Sequence, residues 1–215
     1  MCNSEEVKKC IELTKVVAII RGMAPEICVR LAKAYQEGGI RLVEVTFNQI
    51  GNLEDTVMAI KAIRAAFPEM HVGAGTVITE AQLDLSISAG AEFIVTPNCN
   101  PAIIRKAKSA GIVTMPGTIT PTEMVTAQEA GADYVKVFPV RVLGPAYVKD
   151  VLAPLKHLKL IAVGGVSPEN AADYIKAGCV GVAASGSLVN KDWIAAGEYD
   201  KITAVARQLI ENCKV

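Results

Sequence analysis

The chain has 215 residues, 51% hydrophobic and only 5% aromatic, with 22 basic side chains balancing 22 acidic ones. Zero net charge excludes the basic composition of a nucleic-acid or anionic-membrane binder, and no apolar run is long enough to cross a bilayer. The segment Met1-Cys2-Asn3-Ser4-Glu5-Glu6 has no signal-peptide pattern, so a soluble cytoplasmic protein is expected, with residues 1–215 forming one domain.

In chain order, the first dozen residues predict a helix, and Val16–Ile20 an apolar strand. Ala24-Pro25-Glu26 opens a helix with Pro at its first position. Gly38-Gly39-Ile40-Arg41-Leu42-Val43-Glu44-Val45 then ends that helix and starts a second strand. The same phrase recurs at Ala89-Gly90-Ala91-Glu92-Phe93-Ile94-Val95, at Ala130-Gly131-Ala132-Asp133-Tyr134-Val135-Lys136-Val137 and at Ala177-Gly178-Cys179-Val180-Gly181-Val182-Ala183. In each copy a Gly supplies a left-handed helix cap and the strand follows at once. Shorter strands are expected at His71–Gly75, Ile112–Met115 and Lys159–Val163, with helix starts at Thr79-Glu80, Thr120-Pro121-Thr122-Glu123 and Ser167-Pro168-Glu169. Eight strands, each followed by a helical pattern, predict an α/β single-domain eight-stranded parallel (β/α) TIM barrel, with the extra N-terminal helix across its bottom. An open doubly wound sheet is the alternative. It would usually carry G-x-G-x-x-G after its first strand, which Ile20-Arg21-Gly22-Met23 does not supply.

Of the fifteen lysines, Lys136 alone stands between β-branched residues with an aromatic two positions on. A buried ammonium is costly and tends to lose its proton, and a neutral amine is the nucleophile of Schiff-base chemistry. Counted from the repeat's Gly, Lys136 and Glu44 occupy the same position, as do Val95 and Ala183. These fall on strands two, four, six and eight, which contribute one interior layer of such a barrel. Glu44 is therefore the expected general acid/base facing Lys136. The competing reading is a buried Glu44–Lys136 ion pair kept for stability, although such pairs contribute little net stability. The cysteines Cys2, Cys10, Cys28, Cys99, Cys179 and Cys213 are scattered, and with only His71 and His157 a metal site is not expected. They read as reduced, mostly buried small apolar residues without chemistry.

Two glycine-rich strand ends point to an anion. Gly164-Gly165 precedes the helix start at Ser167, and Ser185-Gly186-Ser187 closes the last strand. Loops after strands seven and eight are the usual phosphate site of this fold, where backbone N–H groups and helix N-termini face the anion. At other strand ends, Arg21 is placed to bind an anionic group and Thr76 to donate to a carboxylate. Pro97 and Phe138 end the fourth and sixth strands. Together these parts describe class I aldol cleavage of a phosphorylated carbonyl substrate.

The motifs Gly39-Ile40-Arg41-Leu42-Val43-Glu44-Val45-Thr46, Gly73-Ala74-Gly75-Thr76-Val77, Val95-Thr96-Pro97, Pro116-Gly117-Thr118, Lys136-Val137-Phe138-Pro139 and Gly164-Gly165-Val166-Ser167-Pro168 run through nearly the whole chain. In these the sequence resembles the 2-keto-3-deoxy-6-phosphogluconate (KDPG) and 4-hydroxy-2-oxoglutarate (KHG) aldolase family. The resemblance implies an imine on Lys136, proton transfer by Glu44 through water, and a pyruvyl carboxylate held by Thr76. It also implies walls at Phe138 and Pro97, phosphate held by Gly164, Gly165 and Ser187, and no cofactor beyond the covalent imine. The implied products are pyruvate and glyceraldehyde 3-phosphate, from a homotrimer. Two positions depart from many KDPG aldolases: Asn48 stands where they carry Arg, and Val163 where they carry Thr. Both look like the sister 2-keto-3-deoxy-6-phosphogalactonate (KDPGal) aldolases, which leaves KDPGal as the alternative substrate. Asn48 also leaves Arg21 as the cation for a carboxylate or phosphate. Rival classes are a phosphate-binding barrel epimerase or synthase, which would need a metal or an Asp pair, and a non-catalytic sugar-phosphate-binding barrel.

Overall fold

The computed structural model describes residues 4–215, so Cys2 lies outside the described residues. Helix α1 (Ser4–Thr14) leads into β1 (Val16–Ile20), α2 (Pro25–Glu37), β2 (Leu42–Thr46), α3 (Leu53–Ala66), β3 (His71–Gly75), α4 (Glu80–Ala89), β4 (Phe93–Val95) and α5 (Pro101–Ser109). There follow β5 (Val113–Met115), β6 (Gly117–Thr118), α6 (Pro121–Glu129), β7 (Val135–Val137), a 3-10 turn (Val140–Val142) and α7 (Gly144–Leu152). The chain continues through β8 (Leu160–Val163), α8 (Pro168–Lys176), β9 (Gly181–Ala184), α9 (Lys191–Ala196) and α10 (Tyr199–Asn212).

The nine strands run in the order β5-β4-β3-β2-β1-β9-β8-β7-β6, every pair parallel. Nine replaces the expected eight because the fifth strand is broken at Pro116, which has no N–H to give the ladder. Its first half pairs with β4 and its second with β7. The Tyr134 N–H still reaches the Thr114 carbonyl (3.1 Å) and the Lys136 N–H the Pro116 carbonyl (2.9 Å), which closes the barrel.

The start and stop signals work as the residue types require. Thr79 and Thr120 form capping boxes with Gln82 and Glu123, and Pro occupies the first turn of α2, α5, α6 and α8. Each repeat glycine (Gly39, Gly90, Gly131, Gly178) has φ between 83 and 110°. A β-carbon is strained in that region, so the reversal from helix to strand falls to Gly.

Period-two alternation then separates two cores. Outward residues such as Val43, Val45, Val72, Val135, Val137 and Ala162 pack under the helices. Inward residues Val17, Ile19, Leu42, Phe93, Val95, Val113, Met115, Tyr134, Ile161, Val163 and Ala183 fill the barrel. Val7 and Ile11 of α1 join this inner cluster, and the Tyr134 hydroxyl donates to the Lys8 carbonyl at 3.3 Å, which fixes α1 across the bottom. Full burial of each such aliphatic side chain contributes roughly 1.5–3 kcal/mol. With that end plugged, the inner cavity opens only toward the strand C-termini.

Among the described cysteines, all free, Cys28, Cys179 and Cys213 are buried, while Cys10 and Cys99 are partly exposed. No helix among the described residues is long and apolar enough to cross a membrane.

Candidate active site

Glu44 and Lys136 both point into the barrel near its open end. Each is almost fully buried, at 1% and 5% exposure. Glu44 pairs across β2 and β3 with Gly73, and Lys136 across β6 and β7 with Gly117. Room for the carboxylate comes from β3, whose inward positions beside Glu44 are Gly73 and Gly75. A methyl on Gly75 would lie 1.8 Å from Glu44 Oε1, and one on Gly73 would lie 2.3 Å from the Phe93 ring.

The pair is not a salt bridge. No ion pair within 4.0 Å joins Glu44 to any cation among the described residues, and Glu44 Oε2 is a buried acceptor without a hydrogen-bond partner. Burial pushes the Glu44 carboxyl above its usual range, with Lys136 and Arg21 pulling the other way. Burial likewise holds Lys136 below the ordinary lysine value, opposed by Glu44 and reinforced by Arg21. The two groups are coupled, and desolvation prevails for both. Lys136 Nζ sits 4.6 Å from the centroid of the Phe138 ring, so the aromatic forms one wall beside the amine.

A cavity of about 510 Å³ opens above Lys136. Arg21, Phe138, Val163, Gly164, Gly165, Ser185, Gly186 and Ser187 all line it. Gly164 and Gly165 are consecutive left-handed residues, at φ 96 and 88°, and α8 starts three residues later with the Ser167 N–H donating to Asn170 Oδ1 at 2.9 Å. The second glycine loop is a turn rather than a helix start. Leu188 N and Val189 N each donate to the Ser185 carbonyl at 2.9 Å, and α9 begins only at Lys191. Of these two glycine loops, the first alone leads directly into a helix N-terminus, that of α8. Ser187 Oγ donates to the Val166 carbonyl at 3.3 Å and ties the two loops together.

Arg21 also lines a second cavity of about 360 Å³ with Asn48, Gln49 and Thr76. Asn48 thus faces this neighbouring space, and its Oδ1 accepts from the Ile50 N–H at 3.2 Å in a local turn. Pro97 lines neither cavity; its backbone lies against Gly117, where an added methyl would meet its carbonyl at 2.5 Å.

Arg141 is a wall residue of the larger cavity that sequence reasoning missed. Its N–H donates to the Gly164 carbonyl at 3.0 Å, and its stem lies over Gly165. Its guanidinium has no carboxylate partner among the described residues. The cavity wall therefore carries two arginines, Arg21 and Arg141, beside the Lys136 amine, and no acidic side chain. The available signal was its place in the loop following the lysine strand, the kind of loop that supplies site residues in this fold. No group of three or more potential metal ligands gathers anywhere among the described residues.

A parallel barrel with a desolvated amine and an unpaired buried carboxylate beneath a mouth that carries two arginines has the makings of an enzyme site. The chain belongs to the KDPG and KHG aldolase family, whose model matches residues 7–205. It is 38% identical over 174 residues to the 2-dehydro-3-deoxy-6-phosphogalactonate aldolase of Escherichia coli K12, covering 80% of this chain and 83% of that one. It is 34% identical over 201 residues to the KHG/KDPG aldolase of the same organism, covering 93% and 92%. A solved structure described as native KDPGal superposes with a TM-score of 0.83 at 35% identity, over 92% of this chain and 93% of that one. The protein is accordingly an aldolase, a lyase of carbon–carbon bonds.

Proposed function

We propose that the protein is a class I aldolase that cleaves KDPG to pyruvate and glyceraldehyde 3-phosphate and tolerates KDPGal and KHG. The observation that carries this reading is the buried Lys136 amine facing a buried, unpaired Glu44 carboxylate beneath the cationic cavity. A structural ion pair would place the two groups in contact, and they are not in contact.

In this reading the neutral Lys136 amine attacks the C2 carbonyl, and loss of water gives the iminium. Glu44, through water, takes the proton of the C4 hydroxyl as the C3–C4 bond breaks. The bond's electron pair passes into the iminium to form an enamine, and the aldehyde leaves. Protonation at C3 and hydrolysis then release pyruvate and free Lys136. Glu44 suits both proton steps because burial raises its carboxyl above the usual carboxylate range and so makes it a better base. No metal or organic cofactor is required, since the iminium is the electron sink.

Arg21 and Thr76 hold the carboxylate, and Phe138 flanks the imine. The loops at Gly164-Gly165 and Ser185-Gly186-Ser187 hold the phosphate, with Arg141 as a further cation. KDPG and KDPGal differ only in the configuration at C4, and Val163 on the cavity wall has no side-chain hydrogen bond to offer a C4 hydroxyl. That observation, with Asn48 in place of Arg, favours KDPGal as the second reading. One barrel domain over residues 1–215, working in the cytoplasm as a homotrimer, completes the proposal.

Borohydride reduction in the presence of pyruvate, followed by peptide mass measurement, tests the chemistry. The expected adduct is on Lys136, and an adduct on Lys15 or Lys159 instead would overturn the assignment. Side-by-side assays of KDPG, KDPGal and KHG test the substrate.

A further inference from the structure

Thr76 has φ 57°, and Lys15 is the other described non-glycine residue with positive φ. Lys15 directly follows the last residue of α1, where a left-handed residue ends a helix in the ordinary way. Thr76 follows a strand and caps no helix. A β-branched side chain in this region is a genuine outlier, and such strain persists only where surrounding contacts enforce it.

Those contacts come from two glutamines. Gln49, three residues past the end of β2, donates from Nε2 to the Thr76 carbonyl at 2.9 Å. Gln82, on the first turn of α4 and only 4% exposed, donates from Nε2 to Gln49 Oε1 at 2.9 Å. Gln82 Oε1 in turn accepts from Ile78 N (2.8 Å) and Thr79 N (3.2 Å). Because Gln82 occupies the oxygen of the Gln49 amide, the nitrogen must face Thr76. The turn from Thr76 to Thr79 is therefore clasped at both ends, and its orientation is fixed relative to the loop after β2. Thr76 follows Gly75, the residue against which the Glu44 carboxylate lies. Thr76, Gln49 and Arg21 wall one cavity.

We infer that Gln49 and Gln82 are positioning residues that hold Thr76 in its left-handed conformation and so set the affinity for the carboxylate of the 2-keto acid. The inference rests on the aldolase reading above. A strain-free glycine would serve the turn better, so Thr at this position is explained by its hydroxyl. That hydroxyl is aimed by a backbone conformation that two side-chain amides maintain.

The test uses the exposed Gln49, whose replacement leaves the α4 cap intact. In Gln49→Leu, the pyruvate concentration giving half-maximal borohydride trapping on Lys136 should rise about five- to tenfold, the worth of one hydrogen bond. Competitive inhibition by inorganic phosphate should stay at its wild-type value, and the thermal midpoint should fall somewhat because the buried Gln82 Nε2 loses its acceptor. Gln49→Glu keeps the acceptor for Gln82 but presents an acceptor to the Thr76 carbonyl, and should show at least the same loss. In a Thr76→Gly background, Gln49→Leu should have no further effect, because the hydroxyl being positioned is gone. Unchanged half-saturation in Gln49→Leu, or a full effect persisting without the Thr76 side chain, would overturn the positioning role while leaving the aldolase reading intact. A wild-type protein that gives no reducible adduct with pyruvate would overturn that reading and this inference with it.

Discussion

The two inward glycines of β3 offer a way to separate catalysis from folding. Neither Gly73 nor Gly75 has positive φ, so Ala at either place adds no backbone strain and acts only through its methyl. At Gly75 that methyl would lie 1.8 Å from Glu44 Oε1 and 2.4 Å from its Cδ; since ordinary contact begins at 3.4 Å, the carboxylate must retreat by about 1.6 Å. Misplacing a catalytic group by about 1 Å can cost roughly a hundredfold, and full loss of an acid/base group about a hundred- to ten-thousandfold. Turnover of Gly75→Ala should fall within that range. Its stability should fall less than a clash with backbone or a packed ring would cause, because the displaced atoms, Cγ at 2.6 Å included, all belong to the one Glu44 side chain, and Ala restricts the unfolded chain by about 0.4–1 kcal/mol.

At Gly73 the methyl meets the Phe93 ring, 2.3 Å from two of its carbons, in the packed interior. Overpacking of that kind costs about 1–3 kcal/mol, or roughly 2–12 °C in the thermal midpoint for a chain of this size. Gly73→Ala should therefore lose stability and keep much of its turnover, while Gly75→Ala does the reverse. Steady-state rates of aldehyde release, thermal melts and borohydride trapping with pyruvate measure the three quantities. Trapping on Lys136 should survive in both variants. Near-native turnover in Gly75→Ala, or equal loss of turnover in the two, would show that the Glu44 position is not what the reaction uses.

Lys136→Met should abolish pyruvate trapping and raise stability. The folded state holds the Lys136 proton less tightly than the unfolded chain, so wild-type stability falls as pH drops from 10.5 toward the lowered folded value. The advantage of the variant should widen over that window and then level off, and a melting-point difference that is flat or reversed in sign across pH would refute the burial penalty. Arg141→Ala should raise KM for a phosphorylated substrate about tenfold, as for a lost charge-assisted hydrogen bond, with pyruvate trapping as the unaffected control; equal losses in both would remove Arg141 from phosphate recognition. Val163→Thr should sharpen preference for KDPG over KDPGal. A wild-type enzyme that already rejects KDPGal by several orders of magnitude would place stereochemical control elsewhere.

Much of this was legible because it is written as spacing. A Gly at fixed distance before β2, β4, β7 and β9 sets both the chain reversal and the inward register, so Glu44, Val95, Lys136 and Ala183 could be assigned to the barrel interior by counting. The break of the fifth strand was less visible. Pro116 removes one ladder donor, yet the apolar pattern runs on through Met115 and Gly117, and only pairing partners reveal two halves. The Gly164-Gly165 loop was readable because its helix follows at once. The turn after β9 was not, because its carbonyl at Ser185 is satisfied by Leu188 and Val189 within the turn itself. Arg141 and the two glutamines carry no periodic signal. An Arg or Gln in a loop is ordinary, and only the fold shows that one faces a cationic cavity and that the others clasp a strained threonine.

The charges at the open end follow one pattern. Arg21 borders both cavities and bears on both buried groups, pulling the Glu44 carboxyl down and pushing the Lys136 ammonium down as well. An arginine there works against a protonated Lys136, which a structural ion pair would need, and in favour of a neutral one. On binding, a carboxylate beside Arg21 would offset part of that positive potential, as would a phosphate beside Arg141. A substrate with an anion at each end and a carbonyl near one of them would complement this distribution of charge. Burial, rather than those anions, keeps the Lys136 amine uncharged between them. That placement explains why a buried lysine and a buried glutamate persist, out of contact, in a core that could have been filled with aliphatic side chains.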